Sequence, residues 1–214
     1  MKLHLLDDNA LQQRIAERLH GTQAPDEHTP TQIGGVPPEQ LELIRHLIPE
    51  QRKPSAVLVP LVRRPEGLQV LFTERASHLR NHAGQISFPG GRIESTDASP
   101  VAAALRETEE EIGLPRAYVE ILGYLQPHLV LTGYRIIPVV GFVRPDFALT
   151  VDAGEVADVF EAPLKHLLNP EHQIEGHREI GEISVRVYDI PYGKHRIWGA
   201  TAGMLMSLYR LLQD

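Results

Sequence analysis

The stretch from residue 99 to residue 113 constrains the fold most, because it predicts a helix with both ends marked. Ser99 is a favourable N-cap residue, Pro100 suits the first helical position, and Gly113 is a typical residue at a helix end. Four carboxylates lie within five residues of this helix, in the segment ETEEE at residues 107–111. Carboxylates three and four residues apart on a helix repel one another. The chain must therefore fold so that something near this helix offsets the repulsion.

The helical repeat separates an inward side of this helix from an acidic side. At about 100° per residue, the residues expected to pack inward are Val101, Leu105, Thr108 and Ile112. Glu107, Glu110 and Glu111 form a stripe beside them, whereas Glu109 points away. A carboxylate stripe next to a buried side favours a bound cation, and Mg²⁺ or Mn²⁺ prefers such oxygen ligands. A solvated acidic helix face is the alternative interpretation.

The segment just before this helix contains a glycine pair. Residues 88–91 read FPGG, which predicts the end of a strand followed by two residues without side chains. A backbone amide or carbonyl of Gly90 or Gly91 could therefore approach a metal ion or a phosphate closely. A plain tight turn is the alternative, but a glycine turn, a short loop and an acidic helix in succession favour a metal or phosphate site.

The rest of the chain mixes strands and helices without regular alternation. Helices are predicted at residues 9–20, 39–47, 163–168 and 199–212, and strands at residues 56–62, 68–73, 85–88, 119–124, 135–143 and 184–190. Pro60 cannot donate to a ladder, which predicts an edge or a bulge at that position. The pattern favours an α+β fold, an α/β/α sandwich with a mixed β-sheet. Residues 1–50, with a Pro- and Gly-rich loop at 22–38, are predicted to form an N-terminal helical segment, and residues 51–214 the main domain.

The composition of the chain argues against several classes of site and partner. The chain has no cysteine, which excludes disulfides, thiolate metal sites and a cysteine nucleophile. A net charge of −7 argues against non-specific nucleic-acid binding. No apolar run approaches the ~20 residues of a membrane span, so we expect a cytoplasmic protein without membrane or nucleic-acid partners. The charge is uneven, since residues 51–92 carry seven Lys or Arg against two Asp or Glu, and residues 93–214 carry ten against eighteen.

Residues 106–114 read RETEEEIGL and resemble the second half of the Nudix hydrolase box, G-x5-E-x7-R-E-U-x-E-E-x-G-U, where U is a bulky aliphatic residue. Thr108 replaces one aliphatic residue. The first half fits when one extra loop residue is allowed, which places Gly91 and Asp97 at its glycine and its acid. The resemblance implies a Nudix-like α/β/α sandwich with a central catalytic loop and helix.

Residues 71–91 resemble a further signature, that of the Nudix coenzyme A pyrophosphatases, L-L-T-x-R-[S/A]-x3-R-x3-G-x3-F-P-G-G. The chain has LFTERA at residues 71–76, then Arg80, Gly84 and the FPGG segment, so only Phe72 deviates. The shifted acid Asp97 is also similar to this subgroup. The resemblance implies a hydrolase that uses Mg²⁺ or Mn²⁺ to cleave coenzyme A and its derivatives into 4′-phosphopantetheine and adenosine 3′,5′-bisphosphate.

The resemblance also implies roles for particular residues. The expected metal ligands are Glu107, Glu110 and Glu111. Any of these three could instead hold the attacking water or act as the base, so Glu107 and Glu110 are also catalytic candidates. Arg106 would orient a carboxylate through an ion pair. Glu155 is a candidate for a further catalytic carboxylate from a later loop, with an exposed structural acid as the alternative.

Substrate contacts are expected on the basic side of the glycine pair. Arg75 and Arg80 would bind phosphates, because coenzyme A carries a 3′-phosphate besides its diphosphate. The backbone of Gly90 and Gly91 would supply a further contact. Exposed loop charges are the alternative for both arginines.

Other functions remain open at this stage. Within the enzyme class, the alternative is a Nudix pyrophosphatase for ADP-ribose or NADH. In a different class, the alternative is a non-catalytic nucleotide-sensing Nudix module, against which the complete glutamate set argues. The partner is therefore a small nucleotide, and the N-terminal helices could serve a homodimer.

Overall fold

The apolar run predicted at residues 56–62 forms the middle of the molecule. In the computed structural model, which describes residues 2–33, 44–79, 82–180 and 182–213, this run lies in strand β1 (Lys53–Arg64). β1 pairs antiparallel with β2 (Gly67–Arg75) and parallel with β7 (Tyr134–Val143). A strand that is covered on both faces is apolar at every position, which explains why the run does not alternate.

Further strands extend this sheet on either side. They are β3 (Ile86–Ser87), β4 (Gly90–Arg92), β5 (Val119–Tyr124), β6 (His128–Leu129) and β8 (Val156–Pro163). Within the described residues, the eight strands form one mixed sheet with the path β3-β2-β1-β7-β5, to which β4 adds on β1, β6 on β7 and β8 on β2. A second, antiparallel sheet contains β9 (Ile174–Ile180), β10 (Ile183–Tyr192) and β11 (His195–Trp198).

Helices cover both faces of the large sheet. They are α1 (Asp8–Leu19), α2 (Pro100–Ile112), the single turn α3 (Leu164–Leu167) and α4 (Gly199–Gln213). Alternate residues of β1 face opposite layers: Leu58 packs in one apolar cluster with α2, and Val59 packs in another with α1 and α4. The expected α/β/α sandwich with a mixed sheet is therefore confirmed.

Helix α1 packs against the main sheet. It begins one residue earlier than predicted, with Asp7 as the N-cap that accepts from the Ala10 amide at 2.8 Å. Its apolar residues Leu11, Ile15 and Leu19 are fully buried in the same cluster as residues of β1 and α4. The division of the chain at residue 50 stays a prediction.

The position predicted for Pro60 is wrong. Pro60 lies inside the central strand and opposite Gly141 of β7. On the other side of β1, the pairing with β4 stops at Val57 and the pairing with β2 resumes at Leu61. Pro60 therefore occupies the gap between two partner strands, where no ladder donor is required.

Several strands were not predicted. These are β4, β6, β8, β9 and β11. β9 is mostly exposed and lacks apolar alternation, and β4 consists of GGR, so neither has the periodicity that indicates a strand. Of the helix predicted at residues 39–47, residues 39–43 lie outside the described residues, and Arg45–Leu47 forms a 3₁₀ turn. In the part of the chain that the structure describes, no helix combines the length and apolar character of a membrane span.

Candidate active site

Both ends of helix α2 are fixed by the residues that the sequence marks. The Ser99 hydroxyl accepts a first-turn amide hydrogen bond at 3.1 Å, and Gly113 ends the helix at φ +68°, in the left-handed region. The chain returns to this end, because the amides of Thr150 and Asp152 donate to the last helical carbonyls at 2.9 Å each. This return was not predicted, and it holds the 150–155 loop beside the acidic side of the helix.

The inward side of α2 contains the four predicted residues and two more. Thr108 and Ile112 are buried, Val101 and Leu105 are half-buried and pack against the apolar cluster that contains Ile112, and the alanines at 103–104 are fully buried as well. The Thr108 hydroxyl donates to a carbonyl one turn back at 2.6 Å. A hydroxyl that bonds within its own helix is satisfied in the core, which explains how threonine replaces an aliphatic residue here.

Glu111 is the most deeply buried carboxylate of the acidic stripe, with a side chain 5% exposed. One of its oxygens accepts a hydrogen bond from the Gly90 amide at 3.0 Å, and the other lies 3.9 Å from the Arg75 guanidinium. The pKa of Glu111 is raised to about 7, mainly by burial and also by the charges of Glu155 and Glu107, against the lowering effects of the Gly90 amide and Arg75. The protein therefore holds this carboxyl between its neutral and charged forms.

The glycine pair permits a close approach of the loop to the helix. Gly90 adopts φ +147°, and a Cβ there would collide with the backbone of β1. A Cβ at Gly91 would collide with the Glu107 carboxylate. Both glycines are therefore required for the β4 backbone to lie against the acidic stripe.

Arg106 organises the other carboxylates. Its guanidinium makes two hydrogen bonds to Asp97, at 3.0 and 2.9 Å, and contacts Glu107 at 3.0 Å and Glu110 at 2.9 Å. Asp97 also accepts from the Glu94 amide at 2.8 Å, which closes the loop before the helix. The loop acid of the motif therefore fixes Arg106, a role that the sequence did not indicate.

Glu107 is half-buried, and Glu110 is largely exposed. The Glu107 side chain is 17% exposed, and burial raises its pKa, against the lowering effect of Arg106. Glu110 is 59% exposed and lies on the solvent side of Arg106. Glu109 points away as predicted and pairs with Arg116 at 2.9 Å. Glu107 and Glu111 are thus the two stripe carboxylates that face the glycine pair.

Glu155 and Arg75 lie at the edge of this carboxylate pair. The Ala76 amide donates to the Glu155 carbonyl at 2.8 Å, which ties the loop before β8 to the end of β2. Glu155 is close enough for its charge to raise the pKa of both Glu107 and Glu111. The Arg75 Nε is buried without a hydrogen-bond partner. Arg80 lies outside the described residues.

The residues present fit a divalent cation. Glu107, Glu111 and Glu155 supply only oxygen donors, and their charges oppose one another, so a bound cation would offset the repulsion. One Glu107 oxygen is held by Arg106 and one Glu111 oxygen by Gly90, which leaves each carboxylate a second oxygen. Among the residues described, no three acidic or histidine side chains already stand in a metal-binding arrangement.

Comparison with known proteins identifies relatives of the chain. Residues 52–182 match the model of the NUDIX domain. The chain is 46% identical over 157 residues to a protein of Escherichia coli K12 named uncharacterized Nudix hydrolase NudL, covering 72% of this chain and 80% of that protein. It is 45% identical over 163 residues to the protein of that name from Shigella flexneri, covering 75% and 83%. A MutT/nudix family protein from Enterococcus faecalis superposes with a TM-score of 0.48 at 15% identity, covering 98% of this chain and 76% of that chain.

Proposed function

Because the chain belongs to the Nudix family of hydrolases, we propose that it is a divalent-metal-dependent pyrophosphohydrolase that cleaves the diphosphate of coenzyme A and its derivatives. The products are 4′-phosphopantetheine and adenosine 3′,5′-bisphosphate. The observation that carries the proposal is the pair Glu107 and Glu111, which lies against the glycine pair with Arg75 at its edge. A cytoplasmic location and a homodimer stay predictions.

The choice of substrate rests on the cationic side of the site. The Arg75 Nε is buried without a hydrogen-bond partner, and one of the two terminal nitrogens lies 3.9 Å from the Glu111 carboxylate. A guanidinium with free donors beside a carboxylate pair suits a phosphate that the pair holds through metal. Arg75 stands at the arginine of the coenzyme A signature, which favours this substrate over other nucleoside diphosphate derivatives.

Each residue of the site has its own role in the proposed hydrolysis. Mg²⁺ or Mn²⁺, when bound, would offset the charge of the diphosphate and acidify a water. Glu107 and Glu111 would hold the ion, with Glu110 as a further ligand from the exposed side. Arg106 would hold the Glu107 carboxylate in position through their hydrogen bond. Glu155, on the loop before β8, is close enough to raise the pKa of both glutamates, which makes it a candidate to accept the proton of the attacking water.

Arg75 and Arg80 would bind the phosphates of the substrate. The amide of Gly90 already donates to Glu111, so the Gly90–Gly91 backbone would shape the metal site and supply a contact next to it. A guanidinium beside the diphosphate would stabilise the charge that develops on the leaving phosphate.

Hydrolysis of three substrates by the purified protein tests the proposal. With Mg²⁺ or Mn²⁺ present, we expect kcat/KM for coenzyme A to exceed the values for NADH and ADP-ribose by at least ~10-fold. Chromatography should identify 4′-phosphopantetheine and adenosine 3′,5′-bisphosphate as the products. Equal rates on the three substrates would instead indicate a general nucleotide pyrophosphatase, and no hydrolysis of any would indicate a non-catalytic nucleotide-binding module.

A further inference from the structure

A cavity lies beyond the glycine pair, at the start of helix α2. Its volume is about 730 Å³, which is in the range of small-molecule sites. It is lined by Pro25, Asp26, Glu27, His28, Glu50, Arg52, Pro54, Ile93, Pro100, Arg135 and Ile137. None of these residues belongs to the carboxylate site described above.

The cavity contains a buried cation without a carboxylate partner. Arg135 is 8% exposed, and its Nε is buried with no hydrogen-bond partner. Its terminal nitrogen donates to the backbone carbonyl of Asp26. Within the described residues, no carboxylate lies at ion-pair distance from Arg135. A buried guanidinium without a carboxylate at ion-pair distance is costly to the fold, and a bound anion would offset that cost.

A second cation, Arg52, stands at the mouth of this cavity. Arg52 is exposed and, next to burial, its charge is the main cause that lowers the pKa of Arg135. Two like charges that face one cavity favour an anion between them.

The acidic residues around the cavity are engaged elsewhere or exposed. The Asp26 carboxylate accepts three hydrogen bonds within its own turn, from the amides of His28 and Thr29 and from the Thr29 hydroxyl. Glu27 lies 3.6 Å from His28, and both side chains are more than four-fifths exposed. Glu50 is exposed at the rim. The buried charge of the cavity is therefore positive.

The cavity lies within reach of a substrate held at the carboxylate site. Ile93 follows β4 directly, and its amide donates to the Pro54 carbonyl at 3.0 Å, so the cavity wall continues the strand pair that carries Gly91. At about 3.3 Å per strand residue, Ile93 is about 7 Å from Gly91. The apolar walls formed by Pro54, Ile93 and Ile137 could pack against a flat base or ribose.

We propose that this cavity binds the phosphate monoester of a nucleoside, with Arg135 in the wall and Arg52 at the mouth as the phosphate ligands. Arginine suits this role because its planar donors match phosphate oxygens in pairs. The nucleoside phosphate could be the substrate's own 3′-phosphate end, a version that rests on the proposed function, or a separate nucleotide.

Binding without turnover tests the cavity itself. The probes are adenosine 3′,5′-bisphosphate and adenosine, which carries no phosphate, measured by calorimetry with EDTA present to keep metal from the carboxylate site. The wild-type protein should bind the bisphosphate at least ~10-fold more tightly, because hydrogen bonds to a charged group contribute enough binding free energy for a tenfold difference in Kd. Arg135→Gln and Arg52→Glu should abolish the preference, and Arg178→Glu, the same charge change on the exposed strand β9, should not.

The exposed position of Arg52 keeps this test independent of folding. If Arg135→Gln fails to fold, Arg52→Glu alone decides, because it changes only the rim. An undiminished preference for the bisphosphate in Arg52→Glu and in folded Arg135→Gln would overturn the proposal, as would equal wild-type binding of the two probes.

A kinetic comparison then identifies the source of the phosphate. If it is the substrate's own, wild-type kcat/KM should favour coenzyme A over dephospho-coenzyme A by at least ~10-fold, and Arg52→Glu should bring the ratio close to one, whereas Arg178→Glu should leave it unchanged. If the ratio is unaffected while bisphosphate binding still depends on Arg52, the cavity serves a separate nucleotide. Absence of wild-type coenzyme A hydrolysis refutes the proposed function and leaves the binding result to decide on the cavity.

Discussion

Glu111 and His128 are both buried titratable groups, but their surroundings differ in kind. His128 is 1% exposed and shares a hydrogen bond of 3.0 Å with the Ser207 hydroxyl of helix α4. The pKa of His128 is lowered to about 4, mainly by burial and also by the charge of Arg210. Burial raises the pKa of Glu111 to about 7, against a backbone donor and a facing guanidinium. The protein keeps His128 neutral, whereas it leaves Glu111 close to its midpoint.

This difference indicates that His128 has a structural role, whereas Glu111 has a role in the proposed reaction. His128 joins β6 to α4, and a neutral imidazole with a hydroxyl partner satisfies that contact at neutral pH. Glu111 faces Glu107 and Glu155, whose charges oppose its own. A divalent cation would favour the ionised form of Glu111. The energetically unfavourable burial of this carboxyl therefore occurs at the proposed metal site.

The largest effect expected from this contrast is on turnover. Glu111→Gln preserves the size of the side chain, and the glutamine oxygen can still accept the hydrogen bond from the Gly90 amide. The substitution removes the negative charge that would bind the metal ion. We expect kcat to fall by at least ~10³-fold, which corresponds to about 4 kcal/mol of lost transition-state stabilisation. Steady-state assays with Mg²⁺, together with circular dichroism to show that the variant is folded, measure this. Full activity in the folded variant would refute the metal assignment.

The second effect concerns stability of the metal-free protein. The pKa of Glu111 is higher in the folded state, about 7, than the ordinary 4.5, so the folded state binds more protons between these values. The stabilisation from this group is complete below about pH 4.5 and is lost as pH rises through 7, on the order of 3 kcal/mol in total. Relative to the wild-type protein, Glu111→Gln should therefore gain unfolding free energy between pH 5 and 8 in urea melts with EDTA. If the free energy of unfolding changes with pH in the same way in both proteins, the pKa of Glu111 is not raised in the folded state.

His128 should give the opposite slope. Its pKa is lower in the folded state, about 4, than the ordinary 6.5, so the unfolded state binds more protons between these values. Stability is then complete above pH 6.5 and falls with decreasing pH, by about 2 kcal/mol down to pH 5. The wild-type slopes from His128 and Glu111 partly cancel between pH 5 and 6.5. His128→Leu should expose the Glu111 slope alone, and a wild-type-like profile in that variant would contradict the assignment.

The sequence anticipated elements whose signals are local. The helix α2 has its cap, its first proline and its terminal glycine in adjacent positions, and the strand β5 has a plain apolar pattern, so the bounds of both were predicted closely. β9 and β11 were missed because their residues are mostly partly or fully exposed and acquire strand structure only by pairing with β10. Such pairing is a property of the fold and has no periodic signature.

The same distinction applies to the site. Spacing along one helix predicted that Glu107 and Glu111 share a side, and the structure brings them together at the glycine pair. Spacing could not predict that Asp97 binds Arg106 with two hydrogen bonds, because the loop geometry depends on the turn before the helix. Nor could it indicate Arg135, which lies 29 residues beyond Arg106 and gains its significance only from burial.

The smallest effect is expected at Glu109, and it tests whether burial, rather than acidity, distinguishes the residues of helix α2. Glu109 and Arg116 form a pair at 2.9 Å with side chains 42% and 57% exposed. Because solvent screens such pairs, Glu109→Gln should lower the free energy of unfolding by less than about 1 kcal/mol and leave kcat within about twofold of the wild-type value. It removes the same charge from the same helix as Glu111→Gln, two residues away. A loss of turnover in Glu109→Gln comparable to that in Glu111→Gln would mean that the net charge of the helix controls activity, and the contrast between buried and exposed carboxylates would fail.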